Sequence, residues 1–415
     1  MRGKGEGAVY RVPKDLSKPL QYWTAVLELP SADGTRRRKV IRRKSKSELL
    51  TELGKARADL EKRGDLPTKT TSVEQWFTYW LVQAAKEVRP ATMTGYRSTV
   101  TNHIIPGLGP KTKLDKITAA TVRKVHDRIL DKGLTSTYAL NAHRIMSTSF
   151  EVAVREGRIG RNPAALTAAP RKNVPKLDVL DLPESLALLQ YTLEDPERVR
   201  WATFLLTAAR RGEVLGLERD RVGDVIDLSW QLQRITYSHG CKSKCGFKRG
   251  VDCPERKIIV PADYEYRQVV GGLYWTRPKS RKGWRVIPLV DPLRSILERH
   301  LSTAPENKFG LVFARPDGRP YDPDQDTASW RTVMKSQFGE ERSVRLHDLR
   351  HTTVDLLYLA GVPEELVMEI VGHSTRMMTR EYKSRGNIER LTRAMEKMSL
   401  LFTPPETERT REIGA

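Results

Sequence analysis

Four stretches of this sequence gather guanidinium, imidazole and phenol side chains at spacings that suit chemistry on an anion. In His347-Asp-Leu-Arg350-His351 the first imidazole and the guanidinium stand three residues apart. On a helix they lie one turn from each other on one face, where a single phosphate can touch both; solvated helices that bind nothing carry the same pair. Upstream, the apolar run Phe204 to Ala209 leads into Arg210-Arg211-Gly212-Glu213. A helix terminus there presents a guanidinium fork to an oxyanion, with Glu213 to orient it, unless the pair only ties two helices together. Lys279 to Arg285 joins two strand-like runs and reads as a basic β-hairpin tip able to enter a groove, or else as a soluble loop. After Pro363, an apolar helix through Leu366, Val367, Ile370 and Val371 stops at Gly372. His373 follows at once, and Tyr382 comes nine residues later, where packing competes with a role as nucleophile.

Each signal is weak alone, but the order is specific. Thr207-Ala-Ala-Arg210-Arg-Gly-Glu213, then Pro278-Lys279-Ser with Arg285-Val-Ile-Pro288-Leu, then His347-Asp-Leu-Arg350-His-Thr, then Gly372-His373-Ser with Tyr382, resemble the tyrosine recombinases of the phage-integrase family. The resemblance places Arg210, Lys279, His347, Arg350, His373 and Tyr382 on the family's active-site positions, with Tyr382 as nucleophile. It implies a site-specific recombinase that integrates or excises a phage or mobile element through a 3′-phosphotyrosyl bond. Its partners would be double-stranded attachment sites, three further copies of the chain in a tetramer, and an accessory DNA-bending or directionality factor. No cofactor is implied for catalysis. No cluster of acidic residues with ligand-like spacing accompanies the motifs, so metal-free chemistry is expected. Two departures stand out: Ala208 where the family commonly has Gly, and Gly283 where it commonly has Ser. Lys282 competes with Lys279 as the acid. A topoisomerase using the same groups, and a DNA-binding regulator that no longer cuts, are the alternatives.

One cluster lies outside these motifs. His239, Cys241, Cys245 and Cys253 fall in an insertion before the Lys279 segment and include all three cysteines of the chain. Three thiolates and an imidazole can hold a structural zinc, but the spacing is irregular and free thiols in a reducing compartment are the competing reading.

The whole chain is built for a polyanion. Its 415 residues carry 73 Lys and Arg against 51 Asp and Glu, a formal charge of +22 that favours nucleic acid as partner. No apolar run of about 18 residues is present, and no secretory stretch follows the N-terminus, so a cytoplasmic, nucleoid-associated protein in a bacterial cell is expected.

The elements that must position these groups predict a multidomain protein. Residues 1–66 read as a small α+β module of three strands and one helix, with eight Lys or Arg between Arg36 and Lys46. By the resemblance this is the arm-type DNA-binding domain. Residues 70–160 read as an all-α unit, the family's SAM-like core-binding domain, opened by a capping box at Ser72 and Gln75. A Pro-rich basic linker spans 161–177, and a mainly helical α+β catalytic domain spans 178–402. Residues 403–415 read as a disordered tail. The amphipathic stretch from Asn387 to Leu401 is either a contact swapped between neighbouring copies or packing on its own domain.

Overall fold

The computed structural model describes residues 8–29, 37–63, 71–173, 177–241, 245–278, 284–372 and 385–402. Lys279, Lys282, Gly283, His373, Tyr382 and the expected disordered tail lie outside them. The chain divides into two compact units, Met1–Val174 and Pro175–Ala415.

In the first unit, β1 (Ala8–Val12), β2 (Tyr22–Leu29) and β3 (Arg37–Arg43) form an antiparallel sheet in that order, followed by α1 (Lys46–Arg63). The two-residue period of the strands turns Ala25, Leu27, Leu29 and Ile41 onto Leu49, Leu53 and Ala56 of α1, while Arg38 and Arg42 of β3 take the opposite face. Four longer helical segments follow: α2 (Val73–Ala84), α3 (Pro90–Thr99), α5 (Ala119–Asp131) and α6 (Ser136–Arg155). Between α3 and α5, a π-helical turn over Val100–Ile104 continues into the short α4 (Ile105–Leu108). The helical run continues through Pro106, where the widened turn accommodates a residue with no N–H to give, and breaks at Gly109, φ 87°. The capping box at Ser72 and Gln75 is formed. Trp76 Nε1 donates to Ser149 Oγ at 2.9 Å, and Phe77 meets Phe150 edge-on, tying α2 to α6.

The second unit is mainly helical. Its helices are α7 (Leu182–Leu193), α8 (Val199–Thr207), α9 (Arg211–Leu215), α10 (Leu293–Thr303), α11 (Pro323–Phe338), α12 (Leu349–Leu359), α13 (Glu364–Val371) and α14 (Arg385–Ser399). Five strands, β4 (Val225–Asp227), β5 (Gln231–Arg234), β6 (Tyr266–Val270), β7 (Leu273–Thr276) and β8 (Val286–Pro288), make two antiparallel sheets, β4–β8 and β5–β7–β6. One apolar core, including Phe204, Ile226, Ile287, Leu297, Trp330, Leu349, Leu357 and Ile370, joins α8, both edges of the β4–β8 pair and the later helices.

Three expectations change. β7 and β8 flank the Lys279 segment but pair in different sheets, so it does not cap a hairpin made by those two strands. The run Lys257 to Val260 forms no strand, only a bridge between Lys257 and Ser238. β6 is a largely exposed strand with no apolar alternation to announce it. Finally, α14 buries Leu391, Ala394, Met395 and Met398 in the core of its own unit, so its apolar face is satisfied without a neighbouring copy. Among the described residues no helix is long and apolar enough to cross a membrane.

Replacing Ser72 with Ala removes the side-chain acceptor of the α2 N-terminus. We expect a loss of about 1 kcal/mol, read as faster hydrogen–deuterium exchange at the amides of the first turn of α2 with α5 unaffected.

Candidate functional site

The site is built around a bend after α8. Ala208 takes the left-handed conformation, φ 52°, the one non-glycine residue with positive φ among the described residues. For an L-residue that costs about 1–2 kcal/mol, so something must hold it there. Two guanidinium groups do: the buried Ala208 carbonyl accepts from Arg350 Nη1 at 2.7 Å and from Arg285 Nη2 at 3.4 Å. The bend delivers Arg210 to the N-terminus of α9, where Glu213 reaches back to it. The Glu213 carboxylate is fully buried and accepts four hydrogen bonds: from the Arg210 backbone N–H (2.8 Å) and Nη1 (2.7 Å), and from Arg285 Nη1 (3.1 Å) and Nη2 (2.8 Å). The Arg210–Glu213 ion pair exists, but within the first turn of α9 rather than between two helices, and it orients a guanidinium that stays about a third exposed.

Close backbone contact fixes α9. A Cβ on Gly212 would lie 2.6 Å from the Leu232 carbonyl oxygen of β5, and one on Gly216 would lie 2.6 Å from the Leu232 nitrogen. Trp275 of β7 adds a hydrogen bond to the Gly216 carbonyl at 2.9 Å.

Arg350 is on the first turn of α12 and only 4% exposed. Its second terminal nitrogen donates to the Val371 carbonyl at the end of α13. Thr353, three residues on, donates to the Leu205 carbonyl of α8 at 2.7 Å, locking α12 against the helix that ends in the bend. Burial, and then the charges of Arg285 and Arg210, bring the Arg350 pKa down to about 9, which still leaves it cationic at neutral pH. His347 feels partial enclosure first and then the charges of Arg350, His351 and Arg210; together they hold its pKa below the usual imidazole range, favouring the neutral, proton-accepting ring. Its side chain opens to solvent all the same. Burial opposes ionisation of Glu213, but Arg285 and then Arg210 prevail and keep its pKa low. Asp348, inside the His-Asp-Leu-Arg motif, turns away to a two-bonded pair with Arg345.

Of the six residues expected at the site, the structure thus brings Arg210, His347 and Arg350 together; Lys279, His373 and Tyr382 lie outside the described residues. Gly372, which precedes His373, ends α13 with φ 69°, and a Cβ there would press on Arg285 Cδ at 3.2 Å. Arg285 itself was not among the candidates. In the sequence it closes the basic stretch from Lys279 and opens a motif, and nothing short of its burial, 2% exposed, distinguishes it from a surface arginine.

The four residues of the insertion also converge. Their donor atoms lie within 4.8 Å of one another. Cys245 Sγ is 3.3 Å and Cys241 Sγ 4.0 Å from His239 Nδ1, and Cys253 Sγ is 3.5 Å from Cys241 Sγ. A disulfide needs about 2.05 Å. A tetrahedron of thiolates about 2.3 Å from a zinc ion has edges of about 3.7 Å, so the donor set fits that cation. Burial works against the Cys241 thiolate, yet hydrogen bonding with Cys245, Cys253 and His239 brings its pKa down to about 6.

Residues 262–386 match the Phage integrase family, and residues 72–130 match its N-terminal SAM-like domain. An integrase of Saccharopolyspora erythraea is 32% identical over 385 residues, covering 84% of this chain and 87% of that protein. Among solved structures, the Tn1549 transposon integrase in complex with transposon right end DNA is similar in fold, with a TM-score of 0.57 at 18% identity over 83% of this chain and 98% of the other. A lambda integrase tetramer bound to a Holliday junction is similar as well, with a TM-score of 0.53 at 15% identity over 86% and 94%. The braced arginines of the second unit and these kinships agree: the chain belongs to the phage integrase family, the tyrosine recombinases that break and rejoin DNA site-specifically.

Proposed function

We propose that Arg210, Lys279, His347, Arg350, His373 and Tyr382 form the active site of this recombinase, with Tyr382 as nucleophile. The observation that carries this reading is the shared anchorage of Arg210 and Arg350 around Ala208 and Glu213. Arg210, Arg285 and Arg350 bring three positive charges to the bend, and Glu213 cancels one. Two remain for a phosphodiester, which carries one negative charge at rest and approaches two in the pentavalent transition state. Fixed donors aimed at that developing charge supply what a metal ion supplies in other phosphoryl-transfer enzymes.

The phenol oxygen of Tyr382 attacks phosphorus and the bond to the 5′-oxygen breaks. A tyrosine with a pKa of about 10 is rarely ionised at neutral pH, so its proton needs an acceptor, and the neutral His347 supplies one. Lys279 protonates the leaving 5′-oxygen, a service worth about 10² to 10⁴ in rate. His373 hydrogen-bonds a non-bridging oxygen. The 3′-phosphotyrosyl ester conserves the energy of the broken linkage, so a 5′-hydroxyl from a partner strand reverses the step without ATP.

Residues 1–66 and 70–160 act as the arm-type and core-type DNA-binding domains, and 178–402 as the catalytic domain. The protein works on attachment sites as a tetramer, the state of the similar lambda integrase on its junction, to integrate or excise a phage or mobile element, with an accessory bending or directionality factor. His239, Cys241, Cys245 and Cys253 hold a structural zinc that takes no part in bond breaking.

Three outcomes test these roles. Tyr382→Phe abolishes covalent protein–DNA adducts on nicked duplex while leaving DNA affinity intact; a persisting adduct removes Tyr382 as nucleophile. Lys279→Ala cuts slowly, and a substrate with a 5′-thiolate leaving group restores its rate; no restoration transfers the role to Lys282 or another acid. Glu213→Gln leaves two guanidinium groups sharing a neutral partner, and we expect about 3–5 kcal/mol of lost stability by analogy with broken buried ion pairs, measured by urea unfolding of the 175–415 unit, together with loss of cleavage.

A further inference from the structure

The insertion that carries the three cysteines lies between β5 and β6 and is closed at its base. Ser238 and Lys257 exchange backbone hydrogen bonds at 2.8 and 3.0 Å, closing residues 239–256 into a loop with a common base. Two glycines let its backbone cross at short range: a Cβ on Gly240 would lie 2.1 Å from the Glu255 carbonyl oxygen, and one on Gly250 would lie 2.1 Å from that of Tyr237. The four donor atoms meet inside this knot, with Cys241 and Cys253 buried.

Tyr237, two residues before His239, leaves the knot and enters the sheet. Its hydroxyl donates to the Gly271 carbonyl in the β6–β7 turn at 2.7 Å, lies 3.1 Å from the Tyr274 hydroxyl of β7, and accepts from Gln268 of β6 at 3.1 Å. Arg256, on the far arm of the knot, covers its ring at 5.4 Å. Beneath it, Ile235, Tyr264 and Tyr274 make a small apolar cluster of their own, separate from the main core. The same sheet supports the site: β5 meets Gly212 and Gly216 of α9 at backbone distance, and β7 fixes the Gly216 carbonyl through Trp275. In the sequence, β7 also runs within three residues of Lys279.

We propose that the metal-bound knot is a positioning element for strand cleavage, in which Tyr237 transmits the fixed geometry of the knot to the sheet that holds α9 and Arg210. The inference rests on the reading of His239, Cys241, Cys245 and Cys253 as ligands of a tetrahedral, thiophilic divalent cation. A metal is suited to this because the cluster around Tyr274 is too small to order a loop of this length by burial alone. Tyr237 is a positioning residue: its hydroxyl bonds to Gly271, Tyr274 and Gln268, and it acts through β7 and the β5 strand paired with it.

The test uses the full chain. Atomic absorption on protein purified without added chelator should find one zinc per chain, and Cys245→Ser should lose it; metal-free wild-type protein overturns the ligand reading itself. Tyr237→Phe keeps all four ligands and the ring but loses the hydroxyl. It should retain one zinc and bind attachment-site DNA within about twofold of wild type, while single-turnover formation of the phosphotyrosyl adduct slows about tenfold, a part of what the hydroxyl's contacts to Gly271, Tyr274 and Gln268 contribute. Adduct formation at the wild-type rate in a zinc-replete Tyr237→Phe protein overturns the coupling and leaves the metal reading standing. A loss of DNA affinity that accounts for the whole change in rate overturns it too, since a positioning role shows in the rate of the bound complex.

Discussion

A single buried carboxylate makes the rest of this site feasible. Arginines that are to grip one phosphate must stand close together before the phosphate arrives, and unpaired they repel and lose hydration. Glu213 resolves the conflict by accepting from two of them at once, and the Ala208 carbonyl adds a dipole shared by Arg285 and Arg350. The left-handed bend at Ala208 points its carbonyl at both groups and leads the chain directly into Arg210. Where the family commonly has Gly, which takes such a turn without strain, this chain holds Ala.

The scaffold distributes the load of holding that bend. α12 carries Arg350 and is locked to α8 by Thr353; α13 ends on a carbonyl that Arg350 also binds; β8 begins next to Arg285; and α9 lies on β5 without a side chain between them. Each element supplies one contact to a common centre, so a shift of any one is felt at Arg210 and Arg350. The cysteine knot enters the same arrangement from outside the main core, by way of the three-stranded sheet.

Much of this was legible beforehand because it is local. The cap at Ser72 and the reach of Glu213 back to Arg210 both depend on a few covalently linked residues, whose geometry the backbone fixes; the helix expected to carry both His347 and Arg350 starts only at Leu349, so His347 stands in the turn before it. The errors have an equally physical origin. β6 was missed because an exposed strand need not alternate, and the segment before β8 was read as a hairpin because two strand-like neighbours in sequence need not pair in space. The helix after Tyr382 showed one apolar face and no sign of whose core it would enter; Leu391, Met395 and Met398 enter their own.

The sequence by itself determined the family, the chemistry its ordered motifs imply, the basic character suited to DNA, and the identity of four candidate metal ligands, since residue type and short-range spacing carry that information. Packing of the whole unit settled that Arg285 shares the carboxylate of Glu213 across 72 residues, that Ala208 and Arg350 meet across 142, and that the thiols of Cys241 and Cys253 come within 3.5 Å across 12. Such contacts form where burial of the surrounding core leaves a polar group no other partner, and that depends on the packing of the whole unit rather than on any segment of it.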